Sequence, residues 1–299
     1  MNQDIALTIA GCDVLLLADK ALYWPQQQML CVADAHFGKA AAYRALGQPV
    51  PHGTTAASLL RLDALLARYP VRELVFLGDF LHAPKSHAPA TLAALHEWRH
   101  RHPGLVCTLV RGNHDLRAGD PPATLAIELV NEPYLSGPFA LRHTPGAGTS
   151  EHSHAKHHVI AGHIHPVFHL QGKGRQRLRL PCFYITDQMT VLPSFGEFTG
   201  GHAVEATSSS RIFITDGTGV WPVSKSNFTP NPLLPTRPTL PLHLHLALPP
   251  AAEGEGEGEG EGEGEGEGEG EGEGEAEGEG DGESNAKLPA KNVLNNLAS

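Results

Sequence analysis

The sequence predicts an α/β protein in which two β-sheets face each other with helices on the outside. Up to residue 138, apolar strand-like runs alternate with helical stretches; beyond it only short strand-like runs follow. The composition then changes: residues 222–250 hold eight prolines, and residues 253–283 are nearly pure Glu-Gly alternation. The 299-residue chain therefore divides into a folded body over 1–220, a Pro-rich linker over 221–252 and an acidic low-complexity tail over 253–299.

Ile5–Ile9 and Val14–Ala18 read as strands joined by a turn at Gly11, on the edge of a sheet. Met29–Ala33 is the next strand, and Ala40–Leu46 a short helix stopped by Gly47 and Pro49. Thr55–Tyr69 places Leu59, Leu62, Leu66 and Tyr69 on one helical face, and Glu73–Leu77 returns as a strand, completing a β–α–β unit. Ala90–Arg101 reads as a helix, Leu105–Val110 as a strand, and Pro122–Val130 as a helix opened by prolines. Strands are expected at Phe139–Arg142, His158–Ala161, Val167–Leu170, Arg177–Leu180, Phe183–Ile185, Met189–Leu192 and Arg211–Thr215; beyond Asp216 the pattern fades.

The net charge of −11 belongs to the tail. Residues 253–283 contain fifteen Glu and one Asp with no Lys or Arg, which leaves residues 1–252 with 20 basic against 17 acidic side chains. A mildly basic body is compatible with a phosphate-bearing substrate, although +3 is thin support for a broad duplex-binding surface. The Glu-Gly stretch over 253–283 has no apolar side chain beyond Ala276, so nothing offsets its ordering entropy and it is expected to be disordered. Cys12, Cys31, Cys107 and Cys182 form no CxxC pair and read as reduced, buried thiols. Ile9-Ala10-Gly11-Cys12 looks like a lipoprotein site, but Asp4 and no Lys or Arg precede it. No run approaches the roughly 18 apolar residues of a membrane span, so the expectation is a cytoplasmic protein with no membrane partner.

Four polar clusters each follow a strand-like run: Asp34-Ala35-His36, Gly78-Asp79, Gly112-Asn113-His114-Asp115 and Gly162-His163-Ile164-His165. The carboxyl ends of strands are where open α/β sheets bind ligands. Taken singly, Gly-Asp is a turn and His-x-His a surface or core pair; in series they point to a site. Carboxylate, imidazole and amide without thiolate form a donor set that favours Mn, Fe or Zn. In extended backbone, Asp34/His36 and His163/His165 would each aim both side chains to one side.

The series D-x-H, G-D, G-N-H-D and G-H-x-H resembles the signature of the calcineurin-like metallophosphoesterases. The resemblance implies a four-layer α-β-β-α sandwich holding two divalent metal ions, with Mn expected and Fe or Zn as alternatives. It implies that Asp34, His36, Asp79 and His165 hold one ion, and Asp79, Asn113, His143 and His163 the other, with Asp79 bridging. His143 lies in Leu141-Arg142-His143-Thr144-Pro145, and His152, His154, His157 and His158 compete with it. By the same resemblance His114 protonates the leaving oxygen, Asp115 orients His114, and the ions activate water and clamp the phosphoryl oxygens.

Gly38-Lys39, Gly53-Thr54-Thr55, Phe80–Ala83 and Leu192–Gly200 narrow the likeness. Over residues 5–220 the chain resembles the bacterial ligase-associated DNA damage response endonucleases. That implies phosphodiester hydrolysis on DNA or another phosphodiester, with a DNA ligase, an exonuclease and a helicase as partners in repair. Lys39, Arg44 and Arg111 are candidate substrate-binding residues, or else solvated or paired charges. Phe195 lines the pocket or the core, and His82 stands behind the site or bonds structurally. The clusters do not separate a phosphodiesterase from a phosphomonoesterase or a cyclic-nucleotide phosphodiesterase. A non-catalytic scaffold of this fold would lack the G-N-H histidine, which is present as His114.

Overall fold

Seven strands, β1 (Ile5–Ile9), β2 (Cys12–Leu17), β3 (Ala21–Trp24), β4 (Met29–Ala33), β5 (Glu73–Leu77), β6 (Val106–Val110) and β7 (Ile127–Val130), form the first sheet in chain order. The structure is a computed structural model describing residues 3–50, 53–146, 156–171, 177–197 and 199–223. The rest of the expected linker, the Glu-Gly tail, His152 and His154 lie outside the described residues. β1 to β4 are antiparallel and β4 to β7 parallel. Parallel neighbours need crossovers. These carry α1 (Lys39–Arg44) and α2 (Thr54–Arg68), then α3 (Pro89–Arg101), then α4 (Asn113–Ala118).

The second sheet is built from β8 (Tyr134–Ser136), β9 (Phe139–Leu141), β10 (His158–Ala161), β11 (Pro166–Gln171), β12 (Arg177–Ile185), β13 (Met189–Val191) and β14 (His202–Ala203). Its order is β14-β11-β12-β13-β10-β9-β8, and β15 (Arg211–Thr215) pairs with β12 and β16 (Val220–Pro222). β9, β10 and β13 run parallel. All four α-helices of the described residues precede residue 119.

Period-two alternation on the central strands builds two cores. Leu30, Val32, Leu74, Phe76 and Leu109 meet Leu59, Leu62 and Leu65 of α2 and Leu95 and Trp98 of α3. Cys31, Ala33, Val75, Leu77 and Val110 face the other way, against Phe139, Leu141, Ile160, Phe183 and Ile185 of the second sheet. Strands covered on both faces read as unbroken apolar runs. The expected α/β sandwich of two facing sheets is the fold observed.

Several expectations need correction. Residues 122–130 are not a helix: a 3₁₀ turn (Ala123–Leu125) leads into β7. Ile127 and Leu129 pack toward the helix-side core and Val130 toward the inter-sheet core, a period of two that β6 rewards with a ladder. β3 has all four residues buried and so shows no alternation. Arg177–Leu180 and Phe183–Ile185 are one strand, β12, which pairs with β11 up to Pro181 and with β13 and β15 after it. Order continues past Asp216 into β16. The cysteines are free thiols, three of them buried, and no helix among the described residues is long and apolar enough to cross a membrane.

Phe183 is completely buried where the sheets meet. Phe183→Ala should cost about 3–5 kcal/mol, measured as a fall in the urea midpoint of unfolding.

Candidate metal centre

The carboxyl ends of five strands, three from the first sheet and two from the second, converge on one place. β4 runs out into Asp34 and His36, β5 into Asp79, and β6 into Asn113 and His114; β9 leads to His143, and β10 to His163 and His165. The loops are laced backbone to backbone. His36 N–H donates to the Asp79 carbonyl (2.8 Å), Gly162 N–H to the His143 carbonyl (3.0 Å) and Gly196 N–H to the Asp34 carbonyl (3.0 Å).

The Asp-x-His and His-x-His pairs are not extended, contrary to expectation. Asp34, His36, Asp79, His163 and His165 have φ between 46° and 70°, in the left-handed region. They are five of the nine non-glycine residues with positive φ among those described. Each costs about 1 kcal/mol or more relative to ordinary backbone. This turn, rather than the pleat of a strand, points both members of each pair inward. The motif glycines leave room for a ligand delivered by another strand. A Cβ on Gly78 would lie 2.2 Å from His143 Nδ1, one on Gly112 2.4 Å from Asp79 Oδ1, and one on Gly162 2.6 Å from Asp34 Oδ2.

Among the described residues three groups have donor atoms within 4.8 Å of one another: His36, His82 and His114, which has no carboxylate, and two that have one, namely Asp34, His36 and His165, and Asp79, His143 and His163. Asp79 faces both of the latter, with Oδ2 3.8 Å from His36 Nε2 and Oδ1 3.4 Å from His143 Nε2. The Asp79 group is short of protons. His143 Nδ1 donates to the Leu77 carbonyl (3.2 Å), leaving a lone pair on Nε2. That lone pair meets Asn113 Oδ1 and His163 Nδ1, both at 2.9 Å, and the Asp79 carboxylate. In the Asp34 group, His165 Nδ1 is turned to the Gly200 carbonyl (3.3 Å). Its buried Nε2 has no hydrogen-bond partner among the described residues and stands 3.4 Å from Asp34 Oδ1. Converging acceptors with too few donors repel one another unless cations lie between them, so these residues fit divalent ions. Burial pushes the His36 and His163 imidazoles below the usual histidine range, which keeps them unprotonated.

The structure gives Asp115 a different task from the one expected. Its Oδ1 accepts the Phe80 (2.9 Å) and Leu81 (3.3 Å) N–H groups and its Oδ2 the Gly112 N–H (2.9 Å), clamping the Gly-Asp loop to the Gly-Asn-His loop. His114 is held instead by the His82 carbonyl, 2.8 Å from Nδ1, with the His82 ring stacked on its own at 5.1 Å. Burial, Lys39 and His114 lower the His82 pKa to about 4. Glu132, which carried no sequence signal, accepts the N–H groups of His143 (3.1 Å) and Thr144 (3.2 Å) and so sets the turn bearing His143. His158 is not a rival ligand, its Nε2 lying 2.9 Å from Thr190 Oγ1.

Of the candidate substrate-binding residues, Lys39 is electrostatically coupled to the carboxylates of the centre without forming an ion pair with them. It is buried, and the Asp79 and Asp34 carboxylates counter the lowering of its pKa by desolvation. Arg44 donates to the Val50 carbonyl (3.2 Å), propping the loop after α1. Arg111 is bound bidentately by Asp120 at 2.8 and 2.9 Å, so it serves as a paired surface charge. Phe195 is core, fully buried under the Arg61 guanidinium.

Gly78 has φ 74° and no room for a methyl group. Gly78→Ala should displace His143, remove about one equivalent of bound metal by elemental analysis, and destabilise the chain by about 2 kcal/mol or more.

No family model matches the chain, and no curated protein matches it. The crystal structure of Pseudomonas putida nuclease MPE is similar, with 48% identity and a TM-score of 0.64 over 74% of this chain and 100% of that one. The E. coli phosphoesterase YfcE aligns at 18% identity over 62% of this chain and 86% of its own, with a TM-score of 0.30, too low to bear on the fold. With a relative of 48% identity matched over its whole length and a centre of this composition, the chain belongs to the metallophosphoesterases and is a metal-dependent phosphoric ester hydrolase.

Proposed function

We propose that the protein is a binuclear phosphodiesterase that cleaves the phosphodiester bonds of DNA. The observation that carries the reading is Asp79, whose two oxygens face separate ligand groups. The donor set suits Mn²⁺, and Asn113, His143 and His163 with Asp79 would hold one ion, Asp34, His36 and His165 with Asp79 the other. Two such ions, when bound, supply Lewis-acid charge and water activation for in-line displacement at phosphorus.

The protein's own contribution beyond ligation is a positioned proton donor. The His82 carbonyl accepts from His114 Nδ1, so Nε2, 3.9 Å from Asp79 Oδ2, is the atom that would deliver a proton to the leaving oxygen. The His114 side chain is one-third exposed, so the proton can be replenished from solvent. Buried Lys39 adds positive charge where phosphate oxygens would sit. Similarity to a nuclease supports a nucleic-acid substrate. The motif resemblance supports a repair setting shared with a DNA ligase, an exonuclease and a helicase.

The Mn²⁺-loaded enzyme should hydrolyse bis-p-nitrophenyl phosphate and nick a DNA oligonucleotide; activity confined to p-nitrophenyl phosphate would overturn the diesterase reading. His114→Ala should keep its metal while kcat falls by about 10²–10⁴; equal turnover in variant and wild type would remove His114 from the chemistry. Metal content should fall in both sites in Asp79→Asn but by about one equivalent in Asn113→Ala. Two full equivalents in Asp79→Asn would disprove the bridge.

A further inference from the structure

A cavity of about 130 Å³ has His165 in its wall, and the chemistry above makes no use of it. Lys20, His165, Arg179, Glu197 and Thr199 contribute to its walls. We infer that it is an anion subsite that takes the phosphate neighbouring the scissile one on a nucleic-acid strand. The inference rests on the phosphodiesterase reading for its choice of substrate.

Position is the first argument. His165 is the partition: Nε2 faces Asp34 in the centre while Nδ1 is fixed by the Gly200 carbonyl of the cavity loop. The cavity therefore shares a wall with the centre, through His165. Size is the second. The space of about 130 Å³ is large enough to admit a phosphate group.

Charge is the third. The walls bring together cations from both sheets, Lys20 from the turn between β2 and β3 and Arg179 from β12. Glu197 is the one carboxylate among these lining residues. It is paired with Arg61, which does not line the cavity, at 2.5 Å, and lies 3.8 Å from Lys20. Arg179 gives one N–H to the Gly201 carbonyl (3.1 Å), and the rest of its fork has no partner among the described residues. A guanidinium fork matches the oxygens of a phosphate. Ser194, Gly196, Glu197, Thr199 and Gly200, from a stretch conspicuous in the sequence, line this subsite.

The test is calorimetric titration of the Mn²⁺-loaded full chain with dithymidylate joined by a phosphorothioate, either bare or carrying a terminal phosphate on the 5′ or 3′ end. In the wild type one terminal phosphate should tighten binding tenfold or more. Arg179→Ala should abolish that gain, Lys20→Ala should reduce it, and Arg179→Lys should retain part. The salt slope of log K should fall by about 0.7 in Arg179→Ala, one phosphate contact on a single strand. Equal affinity for bare and phosphorylated probes in the wild type, or a gain that survives Arg179→Ala, would overturn the subsite. Hydrolysis of bis-p-nitrophenyl phosphate, which has no second phosphate, reports the chemistry separately. Its absence alongside an intact terminal-phosphate gain would sink the phosphodiesterase reading alone.

Discussion

A carboxylate that is almost fully buried, with one oxygen turned toward each of two histidine-bearing groups, constrains everything around Asp79. Burying an anion costs several kcal/mol unless it is paired, and the nearby protein supplies little direct compensation. The His114 N–H donates to Oδ1 at 3.0 Å, but the imidazoles at 3.4 to 3.9 Å are too far away to be hydrogen-bonded. Asp34, fully buried, takes the His163 N–H and faces His165 in the same way. The unmet negative charge of these two side chains is what makes the centre a cation site rather than an ordinary polar core.

Holding such a site together is costly to the backbone, and the sandwich supplies the counterweight. The left-handed turns at the ligands are kept in place by loops bonded to one another and by strands whose both faces are buried. Because His143, His163 and His165 come from the second sheet and the other ligands from the first, the seam between the sheets is also the seam of the metal centre. Ions that bind only the folded arrangement will stabilise the packing of one sheet on the other by mass action.

Net charge is a poor guide to where a phosphate-bearing substrate would be held. The body carries a surplus of only three positive charges, and Arg111, beside the Gly-Asn-His stretch, is consumed by Asp120. What matters is placement: Lys39 buried beside the carboxylates, and Lys20 and Arg179 brought from different sheets to one small cavity. A centre equipped in this way would, on the proposed function, recognise phosphates one at a time at short range, which requires no broad basic face.

Much of the site was legible in the sequence because its ligands are local events, each motif following the strand that delivers it. Asp34, His36, Asp79, Asn113, His163 and His165 could be named from four short motifs, and the sandwich from the change in periodicity near residue 138. Five strands were not read from the sequence, β3, β7, β8, β14 and β16; of these β3 is buried throughout, and β7 exists because the edge of β6 offered it a ladder. The work of Asp115 and Glu132 was likewise invisible, since a carboxylate's partners are backbone N–H groups far along the chain or across a loop. Sequence by itself determined the donor types and the strands that carry them, both properties of contiguous residues. Only the tertiary structure decided that the paired ligands turn inward through left-handed backbone, that Asp79 faces both groups, and that Lys20 and Arg179 meet beside His165. Those outcomes depend on distances between segments, which packing of the two sheets sets.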